Sequence, residues 1–242
     1  VLHTDTKDKE NILFKTFFDG SHMCNANFDQ SFESEIDQNY AEIMNCRDTQ
    51  QSNNEDHLLD YLNSDISLQE IYTAIKDQKT SAKSFDEEGI HPTMIKRFPP
   101  QIISVLHKIF NLCLTQGNWV WDTSKVVFMK KEGKPNYMKA GAYRPISISS
   151  YVGKLFEMIL ERRLRIHCNL ESVLDDEQEG FRAGRNTTRY LYKMTATLKE
   201  AQRKKLTSFL LCLDFEKAFD SVWLKGLIVK LHNLSIRGNI LF

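Results

Sequence analysis

Five consecutive apolar residues, Phe209-Leu210-Leu211-Cys212-Leu213, end on a carboxylate, Asp214. A short apolar run without alternation reads as a strand buried on both faces. An Asp at the carboxyl end of such a strand lies where α/β sheets place ligands. Burying that charge costs free energy unless it is paired or binds a metal ion. A hard divalent cation such as Mg²⁺ prefers carboxylate oxygen and keeps positions open for substrate phosphates. Asp214 could equally cap the helix that the pattern of residues 221–232 predicts. Spacing alone leaves both readings open.

The formal charge of the chain is zero, with 32 basic and 32 acidic residues among 242. Taken alone, that balance argues against a nucleic-acid partner. It is, however, the sum of two unlike parts. Residues 1–80 hold 6 Lys and Arg against 16 Asp and Glu, a net of −10, while residues 81–242 hold 26 against 16, a net of +10. This is the pattern of an acidic extension beside an anion-binding domain. A hydrophobic content of 41% suffices for a core. No apolar run approaches the ~20 residues of a membrane span. The first ten residues are polar and lack a signal-peptide core. Cys24, Cys46, Cys113, Cys168 and Cys212 are odd in number and have no CxxC spacing. They argue against a disulfide framework or a zinc site and suit a reducing, intracellular compartment.

Residues 1–66 read as a polar, acidic leader with scattered aromatics (Phe14, Phe17, Phe18, Phe28, Phe32) and a flexible loop over residues 48–56. Ser67-Leu68-Gln69-Glu70 fits a capping box opening a helix with Leu68, Ile71 and Ile75 on one face. Pro92 suits the first turn of a short helix, and Pro99-Pro100 starts a longer one. The longer helix has the stripe Ile102, Ile103, Leu106, Ile109, Phe110 and Cys113, with Gly117 as its stop. Val126-Val127-Phe128-Met129 and Tyr143 to Ser149 are candidate strands of a hairpin with a mobile basic tip around Lys130 and Lys131. An amphipathic helix over residues 150–169 turns Val152, Leu155, Phe156, Ile159, Leu160 and Leu164 inward. Another, over 187–205, turns Tyr190, Leu191, Met194, Leu198 and Ala201 inward and carries Arg189, Lys193, Lys199 and Arg203 on its other side. That basic side is either a solvated face or a phosphate contact.

The segment Leu213-Asp214-Phe215-Glu216-Lys217-Ala218-Phe219-Asp220-Ser221-Val222 resembles the first carboxylate motif of reverse transcriptases, most closely those of non-LTR, jockey-like retrotransposons. Three further blocks resemble that family in the expected order. They are Tyr143-Arg144-Pro145-Ile146-Ser147, Gly153-Lys154-Leu155-Phe156-Glu157, and Gln178-Glu179-Gly180-Phe181-Arg182 with Gly184-Arg185-Asn186-Thr187-Thr188. Lys83-Ser84 with Glu88-Gly89-Ile90 resembles an earlier block, from which Phe85-Asp86-Glu87 departs.

The resemblance implies an α+β, right-hand polymerase fold, of which this chain holds the fingers (residues 67–205) and the beginning of the palm, its first strand and helix (206–242). It implies RNA-directed DNA polymerase activity, with an RNA template, a DNA primer, deoxynucleoside triphosphates and a two-metal Mg²⁺ site as partners. Asp214 would be the catalytic, metal-binding carboxylate, with Phe215 lending its backbone carbonyl. Arg144 would grip the nucleotide triphosphate, with Lys130 and Lys131 as further candidates, since a guanidinium holds phosphate oxygens bidentately. Phe219 would sit under the incoming sugar and exclude a 2′-hydroxyl; without the resemblance it reads as a core aromatic. Gln178, Gly180, Phe181 and Arg182 would support the template or the palm, Arg182 equally through a structural salt bridge. Asp220 falls outside the metal position and reads as structural.

The family's second carboxylate source, an aromatic-x-Asp-Asp hairpin, follows the first motif. The adjacent pair in this chain, Asp175-Asp176, precedes Gln178 and reads as a solvated connection. The chain stops 28 residues after Asp214, so the expectation is a truncated segment that cannot polymerise alone. A degenerate remnant that only binds nucleic acid is the main rival. A group II intron maturase-like protein and an interaction module centred on residues 1–66 are others.

Overall fold

The computed structural model describes residues 7, 11, 13, 29–47, 61–81, 84–215, 218–219 and 221–241. Helices α1 (Gln30–Arg47), α2 (Leu68–Asp77), α3 (Pro92–Ile95) and α4 (Pro100–Gln116) come first. An antiparallel hairpin of β1 (Ser124–Lys130) and β2 (Tyr143–Ser149) follows, then α5 (Tyr151–Leu170), α6 (Thr187–Arg203) and α7 (Leu224–Asn233). The class is therefore mixed, helical with a small sheet. The loop expected over residues 48–56 lies outside the described residues, as do Phe14, Phe17, Phe18, Phe28, Cys24 and Lys83. Among the described residues of the acidic leader, α1 is a regular element, and it packs on α7. There Phe32 meets Trp223 edge to face at 6.2 Å, and Lys225 Nζ pairs with Asp37 at 2.7 Å.

The main core gathers α2 to α5. The α2 capping box forms: Glu70 N donates to Ser67 Oγ, and the Glu70 carboxylate accepts from Ser67 N at 2.8 Å. This satisfies backbone donors that the first helical turn leaves bare. Ile71, Ala74 and Ile75 are buried, whereas Leu68, in the first turn, is exposed. On α4 the buried stripe is Ile103, Leu106, Phe110, Cys113 and Leu114, with Ile102 turned outward. Gly117 ends that helix at φ 58°, the left-handed conformation that glycine adopts at least cost. On α5, Val152, Leu155, Phe156 and Ile159 face the same core. Phe156 stacks on Phe110 at 5.2 Å and on Trp119 at 5.6 Å. Gly153 lets the Trp121 side chain approach closely: a Cβ there would stand 3.0 Å from it, a tight contact.

A smaller core joins Leu62, Ile236 and Leu241 with Ile43, Leu164, Ile228 and Leu231, so residues flanking α2 and residues following α7 share one cluster. Arg163 of α5 ties the two cores together. Its guanidinium, 1% exposed, pairs with Glu70 (2.8 Å) and donates to the carbonyls of Leu62, Ser64 and Asp65. The periodicity of α5 did not mark Arg163 or His167 as inward. Both are buried, and His167 Nε2 meets the Leu234 carbonyl at 3.0 Å.

Two expectations are corrected. Residues 206–215 form no strand, and the apolar run is exposed, Phe209 by 94% and Leu213 by 82%. A buried strand requires hydrogen-bonded neighbours on its edges. The sheet of the described residues pairs β1 only with β2, leaving this run without a ladder to join. Likewise α6 buries none of its residues, and Tyr190, Leu191 and Leu198 are exposed, because no described element covers its apolar stripe.

Burial alone would raise the Glu70 carboxyl, but hydrogen bonds from Arg163 and Ser67 outweigh it and hold it below the ordinary value. A depressed acid contributes stability that is present above its unfolded-state value and lost as pH falls through the folded one. Melting of the wild type should therefore decline below the ordinary carboxylate range, and Glu70→Gln should flatten that decline. Arg163→Met removes one partner of a buried pair and should cost about 3 kcal/mol in urea unfolding.

Candidate nucleic-acid interface

The sequence-derived site residues fall on three separate pieces. The first is the hairpin. Its register pairs Lys130 with Tyr143, Met129 with Arg144, and Phe128 with Pro145. Side chains alternate along a strand, so Lys130 and Arg144 stand on opposite faces of the ribbon. The Arg144 face carries Val127, Met129 and Ile146, all exposed. The Arg144 side chain is exposed and makes no ion pair or hydrogen bond among the described residues. Lys130 and Lys131 are engaged. Lys130 Nζ lies over the Tyr137 ring at 5.2 Å, and Lys131 Nζ donates to the Gly141 carbonyl at 2.9 Å.

The tip of the hairpin is held by its own contacts. Tyr137 Oη donates to the Lys131 carbonyl (2.8 Å) and Tyr143 Oη to the Tyr137 carbonyl (3.1 Å), with the two rings edge to face at 6.3 Å. Proline at position 145 has no backbone N–H to give to the ladder. It sits opposite Phe128 in a two-stranded ribbon, where one edge of each strand is free anyway.

β2 leads directly into α5 through Ser150, which caps it by accepting from Gly153 N. The junction is anchored by a residue that the block comparison passed over. Asp86 is buried; one carboxylate oxygen accepts from Ile90 N (2.6 Å) and the other from Tyr151 N (2.9 Å) at the start of α5. Tyr151 Oη returns a bond to the Ser84 carbonyl. A carboxylate here satisfies bare helix amides and complements the helix dipole. The departure at Phe85-Asp86-Glu87 is thus the structural centre of that turn. The available signal was an Asp followed by Gly89, which takes φ 75°.

The second piece is the loop before α6. Arg182 donates to the carbonyls of Leu174 (3.3 Å) and Asp175 (2.6 Å), clamping the preceding turn. Gln178 Nε2 donates to the Gly180 carbonyl at 3.3 Å. Phe181 is 90% exposed at φ 59°, a conformation uncommon for a bulky residue. Gly180 has open space around it. Asp176 is exposed and pairs with Arg185 at 2.8 Å, and Asp175 accepts from Glu177 N, in keeping with a solvated connection rather than a metal site.

The third piece is the exposed segment holding Asp214 and Phe215, with Phe219 beyond it, each open to solvent. Glu216, Lys217 and Asp220 lie outside the described residues. No hydrogen bond, ion pair or ring contact among the described residues links Asp214 or Phe219 to Arg144. Asp214 suits a hard divalent ion as one oxygen donor, but the described residues contain no group of three such side chains able to hold a metal. A complete metal site is not assembled from them. Among the described residues, no helix is long and apolar enough to cross a membrane.

Cys113 and Cys168 have thiols pushed up by burial and stay protonated, whereas Cys46 and Cys212 are exposed. Backbone amides of residues 207–215 should exchange with solvent within seconds at neutral pH, and those of α4 and α5 should be strongly protected, when hydrogen exchange is followed by mass spectrometry. Slow exchange across residues 209–213 would show a ladder partner that the described residues do not contain.

Residues 129–241 match the family model described as reverse transcriptase (RNA-dependent DNA polymerase). The chain is 31% identical over 171 residues to the probable RNA-directed DNA polymerase from transposon BS of Drosophila melanogaster, covering 70% of this chain and 19% of that relative. It is 27% identical over 198 residues to the RNA-directed DNA polymerase from mobile element jockey of the same species, covering 81% of this chain and 21% of the relative. A probable polymerase from the X-element transposon, also of Drosophila melanogaster, is 29% identical over 64% of this chain and 17% of its own length. The chain spans about a fifth of the length of these relatives. The ordered blocks, the family match and these relatives agree: the segment of residues 129–241 belongs to the reverse transcriptases, of the jockey-like, non-LTR kind.

Proposed function

We propose that this chain is the nucleotide- and template-gripping segment of an RNA-directed DNA polymerase from a non-LTR retroelement. The observation that carries the reading is Arg144: it lies within a family block, on the hairpin ribbon, its side chain exposed and without a partner among the described residues. A guanidinium so placed is ready for a triphosphate. Lys130 and Lys131 become secondary, because an aromatic ring and a carbonyl already engage them.

In this reading residues 67–205 form the fingers and 206–242 open the palm. Residues 1–66 are a leader whose α1 rests against the palm helix. RNA template and DNA primer are held through their backbones by the basic part of the chain, since an A-form duplex is recognised mainly by shape and phosphate contacts. Gln178, Gly180, Phe181 and Arg182 shape the loop that faces the template. Arg182 does so by fixing the turn at Leu174 and Asp175. Phe219 lies under the sugar of the incoming nucleotide and disfavours a 2′-hydroxyl. Asp214, with the Phe215 carbonyl, contributes oxygen donors toward Mg²⁺. When bound, the two ions stabilise the attacking and leaving oxygens of nucleotidyl transfer.

Fluorescence anisotropy with an RNA–DNA hybrid, Mg²⁺ and a deoxynucleoside triphosphate tests this. The chain should bind the hybrid with affinity falling steeply as salt rises. Arg144→Gln should weaken nucleotide binding about tenfold, the worth of one charge-assisted hydrogen bond. It should leave hybrid binding nearly unchanged. Unaltered nucleotide affinity in Arg144→Gln would contradict the proposal. Hybrid binding with no Mg²⁺-dependent nucleotide binding would instead favour a remnant that only holds nucleic acid. The incomplete donor set at Asp214 is the observation on that side.

A further inference from the structure

Glu179 is anomalous. Its side chain is 6% exposed, and neither carboxylate oxygen accepts a hydrogen bond. Buried carboxylates are ordinarily hydrogen-bonded, because desolvating them otherwise costs free energy. Three cations stand around its Oε1 instead: Arg189 Nε at 3.3 Å, Lys193 Nζ at 3.5 Å and Arg185 Nη1 at 3.8 Å. Arg189 and Lys193 are one turn apart on the first half of α6, and Arg185 comes from the loop just before it. Arg189 and Lys193 are themselves partly open to water, whereas the Glu179 side chain is not. Asp176 and Glu177 compete for Arg185 and Lys193.

The arrangement is a cradle for one anion, filled from within by a carboxylate that fits it poorly. Charge–charge attraction at 3.3–3.8 Å replaces directed hydrogen bonds. A phosphodiester reaching the exposed parts of Arg189 and Lys193 offers tetrahedral oxygens that the same guanidinium and ammonium groups can meet with good geometry. We infer that Glu179 is an internal counter-ion that holds Arg185, Arg189 and Lys193 in place and competes with nucleic-acid phosphate for them. It thereby weakens backbone binding on this face of α6. The inference rests on the reading that the chain binds nucleic acid, and it makes Glu179 a positioning residue.

The test is the salt dependence of RNA–DNA hybrid binding by the wild type, Glu179→Gln, Lys193→Gln and the double variant, with thermal melting as the folding control. Each phosphate contact adds about 0.7–0.9 to the magnitude of the log–log salt slope. Glu179→Gln should steepen the slope by about one such contact and tighten binding severalfold at fixed salt. Lys193→Gln should change the wild-type slope little, because Glu179 already engages that charge. In the Glu179→Gln background it should reverse the gain. A normally melting Glu179→Gln with an unchanged or shallower slope would overturn the inference. So would a Lys193→Gln single variant that lowers the wild-type slope by a full contact, a result readable even if Glu179→Gln does not fold. Absence of salt-dependent binding by the wild type counts against the functional reading. A Glu179→Gln variant that then gains binding still supports the counter-ion role, and failure of both to bind overturns both.

Discussion

One guanidinium sets the relation between the two halves of this fold. Arg163 reaches from α5 to the Glu70 carboxylate that closes the α2 capping box, and to the carbonyls of Leu62, Ser64 and Asp65 before α2. A single side chain thus fixes a helix start, the approach of residues 62–65 and the orientation of α5. Because the charge is almost wholly buried, it is bound to this geometry: any shift of α2 relative to α5 would strand it without partners. The small core around Leu62, Ile236 and Leu241 includes Leu62, whose carbonyl Arg163 holds, and Ile228 and Leu231 of α7, which also packs on α1.

The hairpin inherits its placement from α5 in turn. Asp86 holds the first amide of α5, Ser150 caps the helix, and β2 ends one residue before that cap. Arg144 therefore projects from a ribbon whose base is anchored to a buried carboxylate, while its tip is braced by Tyr137 and Tyr143. Bracing at tip and base suits a phosphate contact, since a backbone already held by hydrogen bonds has less ordering entropy to lose on binding.

Local signals were readable in the sequence wherever one residue type has one strong physical use. The capping box at Ser67 and Glu70, the stop at Gly117, the strand Tyr143–Ser149 and the inward stripe of α5 all formed. Buried polar residues were not foreseen. Arg163, Asp86 and Glu179 look like surface residues until their partners are known: Arg163 and Asp86 reach residues far away in the chain, and Glu179 meets three cations in the following loop and helix. The apolar run ending at Asp214 misled for the opposite reason. Its composition specifies a two-sided strand, but a strand exists only with neighbours, and among the described residues none lies beside it. The stripe of α6 is the same case in helical form. Of the proposed contacts, the order of the blocks carried the family, while the roles of Lys130, Lys131 and Arg182 needed coordinates to separate a free cation from an engaged one.

The central claim is that nucleic acid and nucleotide meet this chain on the Arg144 face of the hairpin and on the loop and helix from Gln178 to Lys193. Hydrogen exchange of the chain with and without an RNA–DNA hybrid, Mg²⁺ and deoxynucleoside triphosphate tests it most directly. The account predicts added protection in β2 and across residues 178–193, with α1 and α4 unchanged. Protection confined to α1 and α7, with the hairpin and residues 178–193 unaffected, would contradict it.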